Sequence, residues 1–558
     1  MKDYKSVLLI KLPYCEHPTS AMQSDNFSLN LTFRPSPSLA LATLCAFVDK
    51  YKSYDYRIKA VDLNIEAYET PKMPIDKSVY PRLLHDCLKD NQYDVLAISA
   101  PFIFNVTWVE DAVRIARKYR PQAKIVLGGG YPTIFPERCL KEHDINDVAI
   151  GEGESTFLHI LNKYNNHIDK GYSEKFPFHG YGTINSNKEI VIVPRNGHFL
   201  DLKELPLPAW DCLNLEKYFK NSGDKILFFE GSRGCPFRCT FCSTYLVWGR
   251  NIRYKNVDNL IDEIMQIKKK FPEVVLEYQD DNKAFSKEWF KTFINKMHDH
   301  RLKINEYICL SINTLDEEII DLLAKIGVKK IGLAIESGSS QMQRQIKKNI
   351  DFDKARKMIS YIKKKNYQTE INWMIGFPNE TLEQINETFN LARELKSDRN
   401  QFYITLPFPG TELFETAKKE NLFNFDVNKV SNFDFRSSNF LKSKEWTYPQ
   451  LQEMIYDINI ELNFLYNPGL ETSEGRETIL RWLEDCLLLG LPEHVIALIT
   501  VGYLYMKKQQ YDKARKYYDR AINLLGSKSL SKIFSKYLSW DSQVISDFNN
   551  YRRKSLKP

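Results

Sequence analysis

No apolar run in this chain is long enough to cross a bilayer, no second cysteine hook answers the first, and neither sign of charge dominates. The opening MKDYKSVLLIKLPY holds only VLLI as an apolar run, too short for a signal-peptide core, and Val495 to Met506 is too short for a span. A cytoplasmic protein is expected. Thiols stay reduced there, so a disulfide framework is the weaker reading of ten unevenly spaced cysteines. A net charge of +7 from 78 basic and 71 acidic side chains is a modest excess. The basic runs Lys268 to Lys270, Lys363 to Lys365 and Arg552 to Lys554 sit where solvated helix faces or a tail would lie. Nucleic acid is therefore not indicated as a partner. No GxGxxG fingerprint follows the first strand.

At 558 residues the chain is too long for one ordinary core, and two or three domains are expected. From Ser6 to about Lys163 apolar strands (SVLLIK, YRIKAVDL, YDVLAIS, AKIVLGGG, DVAIGEGE) alternate with helical patterns at Ala40 to Tyr51 and Val109 to Tyr119. That rhythm predicts an open, mainly parallel α/β sheet over residues 1–165, Rossmann-like and of the flavodoxin type. Such sheets bind ligands beyond the carboxyl ends of their strands. Those ends carry Ser99 to Phe102, Gly128-Gly129-Gly130-Tyr131 and Gly151-Glu152-Gly153-Glu154. Glycines there admit a close ligand, and they equally serve tight strand-to-helix turns.

Residues 166–223 read as a linker, with a small hairpin in HGYGTINSNKEIVIV and a proline-stiffened LPLPAWDCL. The rhythm then restarts. Over 224–415, KILFFEGSRGC, EVVLEYQDD, KINEYICLSIN, KKIGLAIESG, TEINWMIGFP and NQFYITLPF read as six strands, each followed by a helix. That count predicts a partial (β/α)6 barrel with its chemistry at the strand carboxyl ends. Residues 416–558 read as helices. Near 495–525, Leu498, Gly502, Tyr505, Ala514, Tyr518 and Ala521 fit one tetratricopeptide-like repeat. One repeat needs stacking partners, and a plain helical hairpin is the alternative.

The stretch GCPFRCTFC sets Cys235, Cys239 and Cys242 on one loop directly after a predicted strand. A structural zinc site uses four ligands, commonly in two hooks. A cubane [4Fe–4S] cluster held by three thiolates instead keeps one iron open, over the mouth of the barrel. Asp280-Asp281, Glu336-Ser337-Gly338, Ile375-Gly376-Phe377-Pro378 and Pro407 to Thr411 then mark the ends of the later strands. An Asp-Asp pair also serves as a helix cap or turn, and Glu336 also suits a surface.

With Phe241 just before the third cysteine, the loop resembles the radical S-adenosylmethionine (SAM) motif, and the six strands resemble that superfamily's partial barrel. The resemblance implies a [4Fe–4S] cluster on Cys235, Cys239 and Cys242, SAM chelated on its open iron, and cleavage to a 5′-deoxyadenosyl radical. It implies that Glu336 and Ser337 contact the SAM ribose or methionine, and Ile375, Gly376 and Pro378 the adenine. Asp280 or Asp281 would meet the methionyl amine or the substrate, as catalytic residues.

An α/β domain ahead of such a barrel, carrying GGGYPTIFPE and GEGE, resembles the cobalamin-binding domain of cobalamin-dependent radical SAM enzymes; PLPAWDCL and LPFPGTELFE also look typical. The joint resemblance covers about residues 5–415. It implies cobalamin held by Gly128, Gly129, Gly130 and Tyr131 and by Gly151, Glu152, Gly153 and Glu154, with the lower face of cobalt open or lightly covered by the loop of Ser99, Phe102 and Asn105. The D-x-H-x-x-G signature of some cobalamin enzymes is missing, and Glu16-His17-Pro18 does not fit it, so His17 is a poor candidate for an axial ligand.

What the resemblance implies chemically is class B C-methylation of an unactivated carbon in a natural product, peptide or lipid. One SAM methylates cob(I)alamin, a second yields the adenosyl radical, and the substrate radical takes its methyl group from methylcobalamin. Holding these groups together and away from water requires a cavity between the two domains. Cyclisation or rearrangement without methyl transfer is an alternative. A peptide- or partner-binding helical-repeat protein with a non-catalytic barrel is another, against which the intact cysteines argue. Expected partners are a small-molecule, peptide or lipid substrate, an electron donor such as flavodoxin or ferredoxin, and a peptide on the C-terminal helices.

Overall fold

The computed structural model describes residues 4–14, 36–67, 78–167, 176, 180–194, 199–222, 225–427 and 440–555. His17 and its neighbours lie outside them. Strands β1 (Ser6–Lys11), β2 (Arg57–Asp62), β3 (Val95–Ser99), β4 (Lys124–Gly128) and β5 (Asp147–Ala149) pair in parallel, in the order β2-β1-β3-β4-β5. This is the flavodoxin-like order, and its carboxyl edge is where a ligand is expected. Val7 to Ile10 are buried throughout, because helices cover both faces of a parallel sheet. The helices Leu39–Tyr51, Val106–Tyr119 and Glu154–Tyr164 supply Phe47, Trp108 and Phe157 to that core.

Two features of this domain depart from the sequence reading. The hairpin β6 (Tyr181–Ile184) and β7 (Ile190–Val193) does not stand alone in the linker. It adds antiparallel to β5 and extends the sheet to seven strands. A helix at Val79–Asp90 went unread; Tyr80, Leu84 and Leu88, at spacings of four, are its buried stripe.

The barrel strands are β8 (Ile226–Phe229), β11 (Val275–Tyr278), β12 (Tyr307–Leu310), β13 (Lys330–Glu336), β14 (Gln368–Ile375) and β15 (Arg399–Ile404). All six expected strands form, and hydrogen bonding divides them into β8-β11 and β12-β13-β14-β15. Between β8 and β11 a short antiparallel ribbon appears, β9 (Ser232–Arg233) with β10 (Arg253–Tyr254), and it brackets the cysteine loop. On β11 Leu276 and Tyr278 are buried, and Tyr278 stacks on Phe290 and packs against the tilted ring of Phe293, both on the helix Lys287–Asp299. Glu277 and Gln279 alternate to the opposite, inner face.

The C-terminal helices build their own apolar core. Val495–Lys507 and Tyr511–Leu525 pack as a hairpin in which Gly502 is required, because a Cβ there would lie 2.4 Å from the Tyr518 ring. The tetratricopeptide reading goes no further than this single hairpin. Among the described residues no helix is long and apolar enough to cross a membrane.

His494 caps the helix Val495–Lys507: its Nδ1 accepts from the Ala497 N–H at 3.0 Å, and its ring stacks on Phe464 at 5.2 Å. Burial pushes its pKa down to about 4. The unfolded chain takes up that proton near pH 6.5, so folded stability is full above that value and declines as pH falls towards 4. By pH 5 the loss is about 2 kcal/mol. Thermal melts of the full chain at pH 7 and pH 5 are expected to show it, and His494→Asn, which keeps a capping acceptor without a titrating ring, is expected to flatten the difference.

Candidate functional site between the two domains

A cavity of about 910 Å³ lies where the carboxyl ends of the N-terminal strands face the barrel. That is the upper end of the range for ligand pockets. Its N-terminal wall includes Leu9, Ala97, Val126, Ser99, Phe102, Gly128, Gly129, Gly130, Gly151, Gly153 and Glu154. The barrel contributes Phe228, Glu230, Arg233, Trp248, Gln279 and Asp281. Sequence reasoning missed Lys11 and Tyr14, which also line it. Lys11 is buried, paired with Asp62 at 3.1 Å and set 4.4 Å from the centre of the Tyr14 ring. Phe102 stacks on Phe104 and meets Tyr14 edge-on, an aromatic group at the ends of β1 and β3.

The glycines of β4 have a steric reason. Gly129 holds φ at +109°, and a Cβ there would lie 2.6 Å from the Ala100 carbonyl oxygen. At Gly130 it would lie 2.4 Å from that of Pro101. The turn thus passes tightly beneath the β3 loop and leaves the cavity wall open.

Three residues expected to touch a ligand sit behind that wall instead. Asn105 is buried, donates to the Pro13 carbonyl at 3.0 Å and accepts from the Phe102 N–H, tying the β1 and β3 loops together. The buried Tyr131 hydroxyl meets His143 Nε2 at 3.0 Å. The Glu152 carboxylate is taken by Arg253.

The three cysteines form no disulfide. Gly234, at φ +101°, packs against Asn251, the Cys235 N–H donates to the Gly249 carbonyl at 3.4 Å, and the Cys242 N–H donates to that of Cys239 at 3.3 Å. Burial raises the Cys235 thiol and pushes Cys239 up to about 11, opposed at Cys239 by the Lys348 ammonium. Loading a metal group on these thiols therefore releases protons. Among the described residues no three or more His, Cys, Asp or Glu side chains close around a single ion.

The two aspartates separate. Asp280 is buried and accepts from the Gly231 N–H at 2.8 Å, the Tyr278 hydroxyl at 2.7 Å and the Ser232 hydroxyl. Asp281 opens on the cavity and accepts from the Gly234 N–H at 3.3 Å. Burial, with the charges of Asp280 and Glu230 adding to it, raises the Asp281 carboxyl to about 6. Asn282 Nδ2 donates to Cys235 Sγ at 3.9 Å.

At the end of β13 Glu336 holds φ at +73° and meets the half-buried Lys348, also missed from sequence, at 3.3 Å. The Ser337 hydroxyl meets the Thr388 hydroxyl at 3.2 Å. After β14 the Glu380 carboxylate, raised to about 8 by burial, accepts from the Gly376 N–H at 2.5 Å and the Phe377 N–H at 3.1 Å. It fixes the Ile375 to Pro378 turn. Ile375 and Pro378 are buried, and Phe241 packs on Phe377 with ring centres 6.1 Å apart, joining the cysteine loop to that turn.

Residues 229–392 match the Radical SAM superfamily and residues 58–161 match the B12 binding domain. The chain thus carries a radical SAM domain behind a B12-binding domain. It is 25% identical over 421 residues to cytidylyl-2-hydroxyethylphosphonate methyltransferase of Streptomyces wedmorensis, covering 68% of this chain and 78% of that protein. It is 24% identical over 442 residues to anaerobic magnesium-protoporphyrin IX monomethyl ester cyclase of Rubrivivax gelatinosus, covering 75% and 77%. The cobalamin-dependent SAM radical enzyme OxsB, solved with aqua-cobalamin and SAM bound, superposes with a TM-score of 0.58 at 15% identity, covering 99% of this chain and 80% of OxsB. That last likeness is one of fold.

Proposed function

We propose that the protein is a cobalamin-dependent radical SAM C-methyltransferase acting on an unactivated carbon. The observation that carries the reading is the cavity: one wall is made of the glycine-rich strand ends of the B12-binding domain, the other of barrel residues flanking the three-cysteine loop. The chain's residues fit the groups this needs. Cys235, Cys239 and Cys242 are free, close in sequence and fixed by backbone contacts, as ligands of a [4Fe–4S] cluster. The turn fixed by Glu380 and the Glu336–Lys348 pair offer backbone and charge to SAM. The groove at Leu9, Ala97, Val126 and Gly128 to Gly130 is apolar and cleared by glycines, as cobalamin requires. Bound together, these groups supply a methyl donor and a hydrogen-abstracting radical.

The chain's own work is to hold them and to exclude water. Phe102, Phe104, Phe228 and Trp248 wall the cavity with rings, so side reactions of a reactive carbon are suppressed. Asp281 is the one carboxylate among the predicted catalytic residues that faces the space. We assign it to orienting the methionyl amine or the substrate. The substrate is a small molecule, and the electron comes from a donor of the flavodoxin or ferredoxin kind.

The test is anaerobic purification with iron, sulfide and hydroxocobalamin, then incubation with SAM and a chemical reductant. Both S-adenosylhomocysteine and 5′-deoxyadenosine are expected. 5′-Deoxyadenosine without S-adenosylhomocysteine, across candidate substrates, would replace methyl transfer with cyclisation or rearrangement.

A further inference from the structure

Arg233 and Arg253 are register partners in the β9-β10 ribbon, so two guanidinium groups stand opposite one another where like charges destabilise an antiparallel ladder. Both are largely buried, their side chains 4% and 17% exposed. The carboxylates that meet them come mainly from the other domain. Glu154 accepts from Arg233 Nη2 at 2.7 Å, and Glu152 accepts from Arg253 Nη1 at 3.1 Å and from its Nη2. Glu230 of the barrel also accepts from Arg233, from Nη2 at 2.6 Å and from Nε at 3.0 Å, so that Arg253 is the arginine whose carboxylate comes from the other domain alone. Trp248 and Phe199 cover the two guanidinium planes, each with its ring centre 4.6 Å away. Gly234 and Cys235 directly follow β9, and Asn251, which Gly234 packs against, lies just before β10.

We propose that Glu152 and Glu154 are positioning residues: by neutralising the opposed arginines of the ribbon, they make the shape of the cysteine loop depend on the docking of the N-terminal domain. A buried charge left without its partner is strongly destabilising. With the glutamates withdrawn, the ribbon therefore opens from the Arg233–Arg253 pair and the loop it brackets loses its frame. The site on the loop is complete only when the cavity beside it is closed. What the loop holds is taken from the proposed function; the coupling itself is not.

The test is hydrogen exchange by mass spectrometry on the metal-free full chain, which reads the coupling whether or not a cluster forms. Glu152→Gln with Glu154→Gln is expected to speed exchange across residues 231–254 by about tenfold while β13 to β15 keep their protection. Adding Arg253→Met to Glu152→Gln is expected to restore protection, since removing both members of a buried pair costs less than stranding one. After reconstitution, the change that SAM induces in the electron paramagnetic resonance spectrum of the reduced cluster is expected to weaken in the glutamine variants. Unchanged exchange over 231–254, an equal rise in every strand, or no rescue by Arg253→Met would each overturn the proposal. Should the double variant fail to fold, Glu152→Gln alone, which leaves Arg253 without its carboxylate, is read by the same criteria.

Discussion

Cys239→Ala, reconstituted without oxygen, is expected to make 5′-deoxyadenosine at less than about a thousandth of the wild-type rate, a loss of at least ~4 kcal/mol in barrier lowering. It is expected to bind hydroxocobalamin undiminished. The asymmetry follows from the architecture. The loop offers three thiols, and with one gone two remain, too few to hold a cluster that keeps one iron open. No other cysteine sits within the loop: Cys45 and Cys139 are buried in the N-terminal core, Cys309 lies on β12, and Cys486 belongs to the C-terminal helices. The groove at Gly128 to Gly130, on the opposite wall of the cavity, is built without the loop. Iron per chain and the visible charge-transfer band check the first half, and the corrin spectrum after gel filtration checks the second. Normal iron content with a normal rate would remove the loop from its assigned role. Cys309→Ala serves as the control and is expected to keep its iron.

The parts of this molecule legible in its sequence are those whose physics is local. The cysteine spacing is a loop property, and the six barrel strands announce themselves as short segments with apolar residues, each followed by a helical pattern. The requirement for a cavity between two domains came from the chemistry the resemblance implied, and the cavity lies there. What stayed hidden depends on pairs distant in sequence. Glu154 and Arg233 are 79 residues apart, and nothing in GEGE distinguishes a ligand contact from an ion pair to another domain. The ribbon β9-β10 has two residues in each strand, too few for any periodicity to register. Lys348 follows a short helix, and its meaning comes from its distant neighbours Cys239 and Glu336, the latter in a left-handed backbone conformation that turns the chain there. The separation of Asp280 from Asp281 was within reach. Leu276, Tyr278 and Asp280 share one face of an extended segment, and the apolar two assign that face to the core, leaving Gln279 and Asp281 for the cavity.

That alternation sets a second large effect, in which adjacent aspartates respond in opposite ways. Asp280→Ala is expected to cost about 3 kcal/mol of stability, because the Gly231 N–H, the Ser232 hydroxyl and the Tyr278 hydroxyl lose a shared buried acceptor. Gly231 and Ser232 open the segment that leads into the cysteine loop, so the loss falls on the frame of that loop and cluster content is expected to drop with it. Burial already favours the neutral form of the Asp280 carboxyl. Asp280→Asn, which keeps an oxygen for Gly231 and lets the hydroxyls reorient, is therefore expected to stay within about 1 kcal/mol of wild type and to remain active. Asp281→Asn is expected to leave the melting temperature unchanged and to lower turnover by about tenfold or more, since a charged contact across the cavity is lost. Its carboxyl, raised to about 6, is charged above that pH and protonated below it. Wild-type turnover is accordingly expected to fall as pH drops through 6, with the Asp281→Asn profile flat across the same interval. If Asp280→Asn abolished turnover at full stability while Asp281→Asn did nothing, the chemistry would belong to the aspartate that the fold has buried, and the face assignment of this strand would have to be reversed.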